Sequence, residues 1–584
     1  MKINASQTKN SQSFLEGALI LVFATAVVKI IGVIFKVPIS WLLKEEGFAY
    51  FSLAYAVFTP LYSLAMAGLP VAVARMVSEN SAKGNFRDVK KILRISTAAF
   101  TVTGGFCSIL MLLGAGAYSN YIIKTPAAFL SIICLSPAVF FCCMMSSRRG
   151  YYEGLKNMYP TALSQMFEAV AKLVFGLLFS WLVIFIGTSQ FENSKTVFGT
   201  ACESLEAAMS IIYPFAAAAA IFGVTLSTFI GAAYLHIRHK IKGDGITEEM
   251  LSKAPPSKSG KEILRSLIGI AIPVSLGTLA TTITSFIDSS SIMNRLDFVM
   301  QENPQVVYEM YKGLADKATD VPAFLFGAYS YTTSIFSLVP TITTAFAISA
   351  LPSVTSAWTL GDKTQTQKSV ETVLRITSLV AFPGGIGIAV LSKPILQILY
   401  PFPTQALGVE IAAPALSMLG IAVIFVALIA PINSMLQAIG RVDVPVKLML
   451  VGGVIKIVTN FILVSIPSIN VKGAPVGTIL CYIFLFVASL IIISKQIGSA
   501  PKIRNTFLKP FAAAAVCGLS AALSYKLFSM FISDKISTVI SIIFAVIIYA
   551  ICLLLFKAIA KDDIIMLPKG KKIVKILEKK GLIG

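Results

Sequence analysis

Lys29, Lys36, Glu168, Lys172, Asp288 and Lys456 stand inside long apolar runs. A charged side chain at the centre of a bilayer costs about 2.5–3.5 kcal/mol on insertion scales, so each should face a partner or a water-filled cavity. Lys29 and Lys36 are seven residues apart, two turns on one helix face. Two ammonium groups on one inward face suit a polyanion such as a diphosphate; the bland alternative is that Lys36 snorkels to the headgroups. Glu168 precedes Lys172 by four residues, the spacing of an intrahelical ion pair that braces a helix. Asp288 lies among Thr281, Thr282, Thr284, Ser285, Ser289 and Ser290. A carboxylate among hydroxyls is hard-oxygen chemistry fit for Na⁺ or a proton, and an interfacial aspartate is its structural counterpart. Asn460 follows Lys456 by one turn.

Other chemistry is thinly represented. Glu45-Glu46 has the form of an acid pair for sugar transfer, but no third polar group converges on it in sequence. The eight cysteines lie mostly in apolar runs without a C-x-x-C spacing, which indicates neither a disulfide framework nor a zinc site. Both histidines, His236 and His239, fall in a basic stretch and read as solvated surface. No phosphate-loop motif appears, so neither direct ATP use nor an enzyme is expected, and no cofactor beyond a coupling Na⁺ or H⁺.

The elements that must carry these residues are membrane helices. Of 584 residues, 56% are hydrophobic and 13% charged, with a mean hydropathy of +0.81. Fourteen apolar segments are predicted, the first from Phe14 and the last near 536–560. The first run is too long for a cleavable signal peptide and is interrupted by Lys29 and Lys36. The net charge of +21 is read as loops facing anionic lipid, not nucleic acid. Most lysines and arginines, including those of 78–94, Arg148-Arg149, 238–265 and the tail, fall on one side of the predicted topology. That side is the cytoplasmic one, so both termini face inward in a multi-pass plasma-membrane protein. The tail, 562–584, interleaves Ile573, Ile576 and Leu577 with lysines, as an interfacial helix on anionic lipid does.

The chain also repeats itself. LPVAVARMVSENSAKGNFRDVKKILRISTAAF opens at Leu69, and LPSVTSAWTLGDKTQTQKSVETVLRITSLVAF opens at Leu351. Lys456 falls where Lys172 falls. A repeat this long means two copies of one bundle, the plan of many secondary transporters. The expected fold is an all-α integral membrane protein of two pseudo-symmetric six-helix bundles plus two C-terminal helices. The expected divisions are 1–263, a first lobe with a flexible cytoplasmic linker; 264–497, a second lobe; and 498–584, two further helices and the basic tail.

The carrying motifs resemble a known family. They include Lys29-Ile30-Ile31-Gly32 with Lys36-Val37-Pro38, Ala67-Gly68-Leu69-Pro70, Arg149-Gly150-Tyr151 and Pro160-Thr161-Ala162 with Glu168. In the second repeat they include Pro394-Ile395-Leu396, Leu436-Gln437-Ala438-Ile439-Gly440-Arg441, Lys456, Asn460 and Lys472-Gly473-Ala474. Over nearly its whole length the chain resembles the multidrug/oligosaccharidyl-lipid/polysaccharide exporter superfamily, and within it the stage V sporulation protein B and MurJ-type lipid II flippases. The resemblance implies a flippase that moves an undecaprenyl-diphosphate-linked glycan, a peptidoglycan precursor or another oligosaccharide unit, with the cell-wall synthesis machinery as a partner. A drug/cation antiporter is the alternative within transport, and a membrane-bound sugar transferase is the alternative outside it. The family's diphosphate-binding cations map onto Lys29 and Lys36, with Tyr62, Glu168 and Lys172 as further substrate-site candidates and Asp288 and Asn460 for cation coupling. Gram-negative-type relatives carry an arginine where this chain has Thr59-Pro60-Leu61-Tyr62, and an acid–arginine pair where it has Tyr331-Thr332-Thr333.

Overall fold

A computed structural model describes residues 14–66, 68–441 and 443–559. The basic tail and the start of the chain lie outside the described residues, as does the side chain of Thr281. The chain is an all-α membrane protein; its one sheet among the described residues is a two-residue hairpin, Thr196–Val197 with Thr200–Ala201. Eleven stretches among the described residues are long and apolar enough to cross a bilayer. The first, Phe23–Ala82, has 60 residues, about three times what one crossing needs at 1.5 Å per residue. The pattern is consistent with fourteen crossings.

The helices run in chain order. First come α1 (Phe14–Met66), α2 (Leu69–Ala82), α3 (Phe86–Ala117), α4 (Phe129–Gly154), α5 (Tyr159–Ser194), α6 (Leu205–Lys242), α7 (Glu248–Lys253) and α8 (Gly260–Glu302). Next are α9 (Pro304–Met310), α10 (Leu314–Lys317), α11 (Val321–Phe336), α12 (Leu338–Thr359), α13 (Lys363–Val390) and α14 (Ser392–Leu399). The last are α15 (Ala406–Ala438), α16 (Asp443–Leu463), α17 (Ala474–Ile497), α18 (Lys509–Phe528) and α19 (Asp534–Leu555). They form two compact units. One holds residues up to 297 together with 313–327; the other holds 298–312 and everything from 328. The repeat boundary near 263 is therefore distinct from the packing boundary: most of α8 belongs to the first unit.

The sequence pattern shows why these helices suit lipid. On α3, Val102, Phe106, Ile109 and Leu113 are 57–76% exposed, a stripe at 3–4-residue spacing that faces outward. Phe100, Gly104, Cys107, Met111 and Ala115 line its opposite, buried face. Between helices there is no hydrophobic drive in lipid, so close approach of small residues supplies dispersion contact instead. A methyl added at Gly223 on α6 would lie 2.5 Å from the backbone nitrogen of Gly176 on α5. In the second unit, one added at Gly385 on α13 would lie 2.6 Å from the carbonyl oxygen of Gly420 on α15. Any larger residue at these crossings would force the helices apart.

The repeated stretch folds alike in both copies. In the first, α2 and α3 are joined through 83–85; in the second, α12 and α13 are joined through 360–362. Each turn has a glycine at positive φ, Gly84 (76°) and Gly361 (72°). Measured from the aligned Arg94 and Arg375, the turn of the second copy falls about one helical turn earlier. Leu351 accordingly lies inside α12, whereas Leu69 begins α2.

Around Glu45-Glu46 the chain makes a single-residue bend at Lys44 (φ 49°, ψ −156°), and both acids already belong to the next helical stretch. The 238–263 segment, expected to be a flexible linker, is instead docked within the first unit. Arg87 Nε donates to the Leu251 carbonyl at 2.9 Å, and the Lys258 N–H donates to Asp88 at 2.8 Å. Asp244 pairs with Lys90 at 3.0 Å and accepts from the Tyr151 hydroxyl at 2.7 Å. Charged anchors along the segment outweigh the flexibility that its Gly, Pro and Ser content suggests.

Candidate functional site

The second half of α1 has an aromatic edge. Phe48, Phe51, Tyr55, Phe58 and Tyr62 recur at alternating spacings of three and four, one helix face. Their rings follow one another at centroid separations of 5.9, 5.0, 6.0 and 5.3 Å. Phe35, from the first half of α1, meets Phe51 at 6.0 Å. Such tilted and offset contacts each add about 0.5–1.5 kcal/mol beyond area burial.

Lys172, on α5, reaches this edge. Its ammonium group stands 5.1 Å from the centroid of Phe35 and 5.1 Å from that of Tyr55. A desolvated cation on an aromatic face is stabilised by up to about 2 kcal/mol. Lys36 is half-buried and close enough to Lys172 for their charges to interact. Lys29 is exposed on the same helix. No carboxylate pairs with any of these three lysines among the described residues.

The expected Glu168–Lys172 brace is not formed. Glu168 pairs across helices with Arg149 of α4, at 3.0 Å. Arg149 Nε also donates to the Ser164 hydroxyl at 2.9 Å. Arg149 is the partner that sequence spacing did not reveal, because α4 and α5 must first be folded side by side. Lys172 is released by this exchange to take the aromatic faces. The aromatic spacing on α1 was a readable signal for Tyr55, whereas Phe35 lies outside it, before the bend at Lys44. Tyr62 packs with Phe58, Met66, Cys142, Met145 and Leu235, beside the Arg149–Glu168 pair.

Glu45 and Glu46 are almost fully buried, at 2% and 4% exposure. Glu46 accepts the backbone N–H groups of Thr319 and Asp320 at 2.7 and 3.1 Å, and the Thr319 hydroxyl as well. Asp320 accepts the Ala323 N–H at 3.0 Å, capping α11. Burial pushes the Asp320 carboxyl above its ordinary range, against the lowering effect of the Ala323 N–H and the Tyr50 hydroxyl. Glu46 fastens 313–327 within the first unit, a structural duty for that member of the pair.

Asp288 is half-buried on α8. Several hydroxyls around it turn back on their own helix, Thr282 donating to Thr278 at 3.1 Å, Ser289 to Ser285 at 2.8 Å and Ser291 to Ile287 at 2.6 Å, while Ser290 meets the Tyr118 hydroxyl at 3.3 Å. Among the described residues no three His, Cys, Asp or Glu side chains are grouped to hold a metal ion.

In the second unit, Lys456 is 3% exposed and Asn460 fully buried. The Lys456 ammonium group stands 5.9 Å from the centroid of Tyr482, so both repeat-equivalent lysines lie on aromatic rings. Asn460 packs against Gly477, where an added methyl would lie 2.6 Å from Asn460 Oδ1. Tyr331 stacks on Tyr400 at 4.1 Å and accepts a hydrogen bond from Gln405 Nε2 at 2.8 Å.

Comparison with known proteins places these features in context. A model of the family described as "Polysaccharide biosynthesis protein" matches residues 14–193, and one described as "Lipid II flippase MurJ" matches residues 323–557. The chain is 24% identical to stage V sporulation protein B of Bacillus subtilis (strain 168) over 566 residues, covering 95% of this chain and 98% of that protein. It is 23% identical to lipid II flippase MurJ of the same organism over 534 residues, 90% of each chain. Among solved structures, lipid II flippase MurJ in an inward closed conformation is similar with a TM-score of 0.60, 15% identity and coverage of 92% of this chain and 98% of that one. A multidrug resistance MATE family transporter in an inward-facing conformation is similar with a TM-score of 0.58, 15% identity and coverage of 80% and 95%.

Proposed function

The chain belongs to the multidrug/oligosaccharidyl-lipid/polysaccharide exporter superfamily, and from that premise we propose that it is a flippase for a lipid-linked glycan. The cargo is an undecaprenyl-diphosphate-linked unit of the peptidoglycan-precursor type, carried from the cytoplasmic to the outer leaflet of the plasma membrane. It works by alternating access, and both termini are cytoplasmic. The cell-wall synthesis machinery receives the product. No chemical step on the cargo is needed.

The observation that supports this reading best is the cationic face of Lys36 and Lys172 on the aromatic edge of α1. A diphosphate carries about two negative charges near neutrality. At an effective dielectric near 20, a contact between unit charges is worth about 4 kcal/mol before desolvation. Two lysines without carboxylate partners therefore offer the headgroup a net attraction, and the partly exposed rings of Tyr55, Phe58 and Tyr62 offer apolar surface to a sugar. Lys29, further along α1, would meet the diphosphate on entry, and Tyr62 lies beyond the lysines beside Arg149 and Glu168. Asp288, with Asn460 in the second repeat, is our candidate for coupling to Na⁺ or H⁺.

The test is rescue of a strain depleted of its lipid II flippase, with leaflet exchange of the lipid-linked precursor measured in parallel. Rescue with restored exchange supports the peptidoglycan reading. Exchange of a different undecaprenyl-diphosphate glycan without rescue would keep the flippase and change the cargo. Absence of exchange for any such lipid would overturn the proposal.

A further inference from the structure

Arg148 and Arg149 are neighbours with opposite fortunes. Arg149 has a carboxylate, Glu168, and a hydroxyl, Ser164. Arg148 has neither: its Nη2 meets His236 Nδ1 at 2.7 Å, while its Nε is shielded from solvent and has no acceptor. Arg238, one turn from the end of α6, lies over the Tyr152 ring at 5.0 Å, and its Nη1 is likewise shielded and without an acceptor. Guanidinium N–H groups hidden from water normally have an acceptor, because leaving one unmet forfeits its hydration.

Asp244, the acid that interacts with the neighbouring His239, does not supply it. Asp244 is committed to Lys90, to the Tyr151 hydroxyl and to the Ile246 N–H at 3.1 Å. The Tyr152 hydroxyl is engaged with His239 Nδ1 at 2.9 Å and the Gly243 carbonyl at 3.2 Å, and it also takes a hydrogen bond from Arg238, which still leaves Arg238 Nη1 open. Lys240 and Lys242 add positive charge nearby. The C-terminal ends of α4 and α6 each contribute only about half a negative charge. Positive charge is thus in surplus around two guanidinium groups with open donors.

We propose that Arg148 and Arg238 form a binding site for a phosphate-type oxyanion at the ends of α4 and α6, with His236 occupying part of it when the anion is absent. The Nε–Nη edge of a guanidinium takes two oxygens of one oxyanion in parallel. In Arg148 one half of that edge is held by an imidazole nitrogen and the other half is open. For Nδ1 of His236 to accept, the ring is neutral with its proton on Nε2. His236 is exposed, so its ring can swing aside and yield both positions. The site lies on side chains distinct from Lys29, Lys36 and Lys172 and does not depend on the cargo proposed above. The same chemistry is offered by free phosphate and by the phosphodiester of an anionic lipid headgroup.

The full chain in phosphatidylcholine nanodiscs would be titrated with inorganic phosphate against chloride at constant ionic strength, following thermal unfolding. A parallel series would replace part of the phosphatidylcholine with phosphatidylglycerol. A saturable rise in melting temperature with phosphate identifies the free anion, and a rise only with phosphatidylglycerol identifies the headgroup. Arg238→Gln should weaken the apparent affinity by about tenfold or more, the loss of one charge-assisted contact. Arg148→Gln should do the same, and if it does not fold, the other two variants carry the test. His236→Ala should act in the opposite sense and tighten binding, because it removes the competing acceptor. No response to either source, or equal responses in wild type and Arg238→Gln, would overturn the proposal. So would weakened binding in His236→Ala.

Discussion

Arg149 of α4 and Glu168 of α5 close a 3.0 Å salt bridge that leaves Lys172, one turn beyond Glu168, to the rings of Phe35 and Tyr55. One cross-helix contact therefore decides what two helix-mates do. Arg149→Gln would leave Glu168 without its cation and should cost about 2 kcal/mol, the scale of a hydrogen bond to a charged group. In a double-mutant cycle of thermal unfolding, Arg149 and Glu168 should couple, whereas Glu168 and Lys172 should add independently. Strong coupling within the second pair would restore the intrahelical brace.

Lys172 gives a graded transport prediction. Tyr55→Phe keeps the ring and should leave leaflet exchange near wild type, while Tyr55→Leu removes the face under the ammonium group and should slow it several-fold. Lys172→Ala and Lys36→Ala should each cost tenfold or more, with the arginine variants retaining part, since charge survives and geometry changes. Measured at matched expression, silent alanine variants at both positions would exclude the diphosphate site.

Lys29 is tested separately because it is exposed. Lys29→Ala should insert normally, since removing an intramembrane charge eases insertion, yet bind a diphosphate lipid more weakly. Unchanged binding in vitro would show that Lys29 merely reaches the headgroup layer.

For Asp288, the substitution to Asn should abolish any dependence of exchange on Na⁺ or on pH while the protein stays folded. Ion dependence that persists in Asp288→Asn would assign the residue to packing on α8.

The docked 243–258 segment carries a pH prediction. Burial would raise the Asp244 carboxyl, but hydrogen bonds from Tyr151, Lys90 and the Ile246 N–H prevail and hold it below its ordinary 3.8. A depressed carboxylate stabilises the folded state above its unfolded pKa, and that contribution is lost as pH falls through the folded value. Hydrogen-exchange protection of 243–258, corrected for intrinsic rates, should be constant from neutrality to about pH 5 and fall below pH 4. In Asp244→Asn it should be low throughout.

What the sequence revealed depended on range. The helices, the repeat opening at Leu69 and Leu351 and the lysines within apolar runs were legible, because hydropathy and helical period are local. The Glu168–Lys172 pair was misread for the same reason. A four-residue spacing is visible in sequence, whereas Arg149 becomes a competitor only after α4 and α5 pack. The linker was misread by composition: Gly, Pro and Ser argue for flexibility, but Asp88, Lys90 and Asp244 bind it through contacts more than a hundred residues apart. Glu45-Glu46 had no visible third partner because its partners, Thr319 and Asp320, lie more than 270 residues away.

That last distance bears on biosynthesis. Glu46 emerges from the ribosome early, but the N–H groups it accepts belong to residues made after more than half of the 584-residue chain. During translation the first unit therefore cannot finish assembling when its own repeat is complete. It must wait in the bilayer with a buried carboxylate unsatisfied until 313–327 arrives, and α8 must insert beforehand. A truncated chain ending near 263 should accordingly be held by membrane chaperones or degraded, while one extended past 327 should escape both.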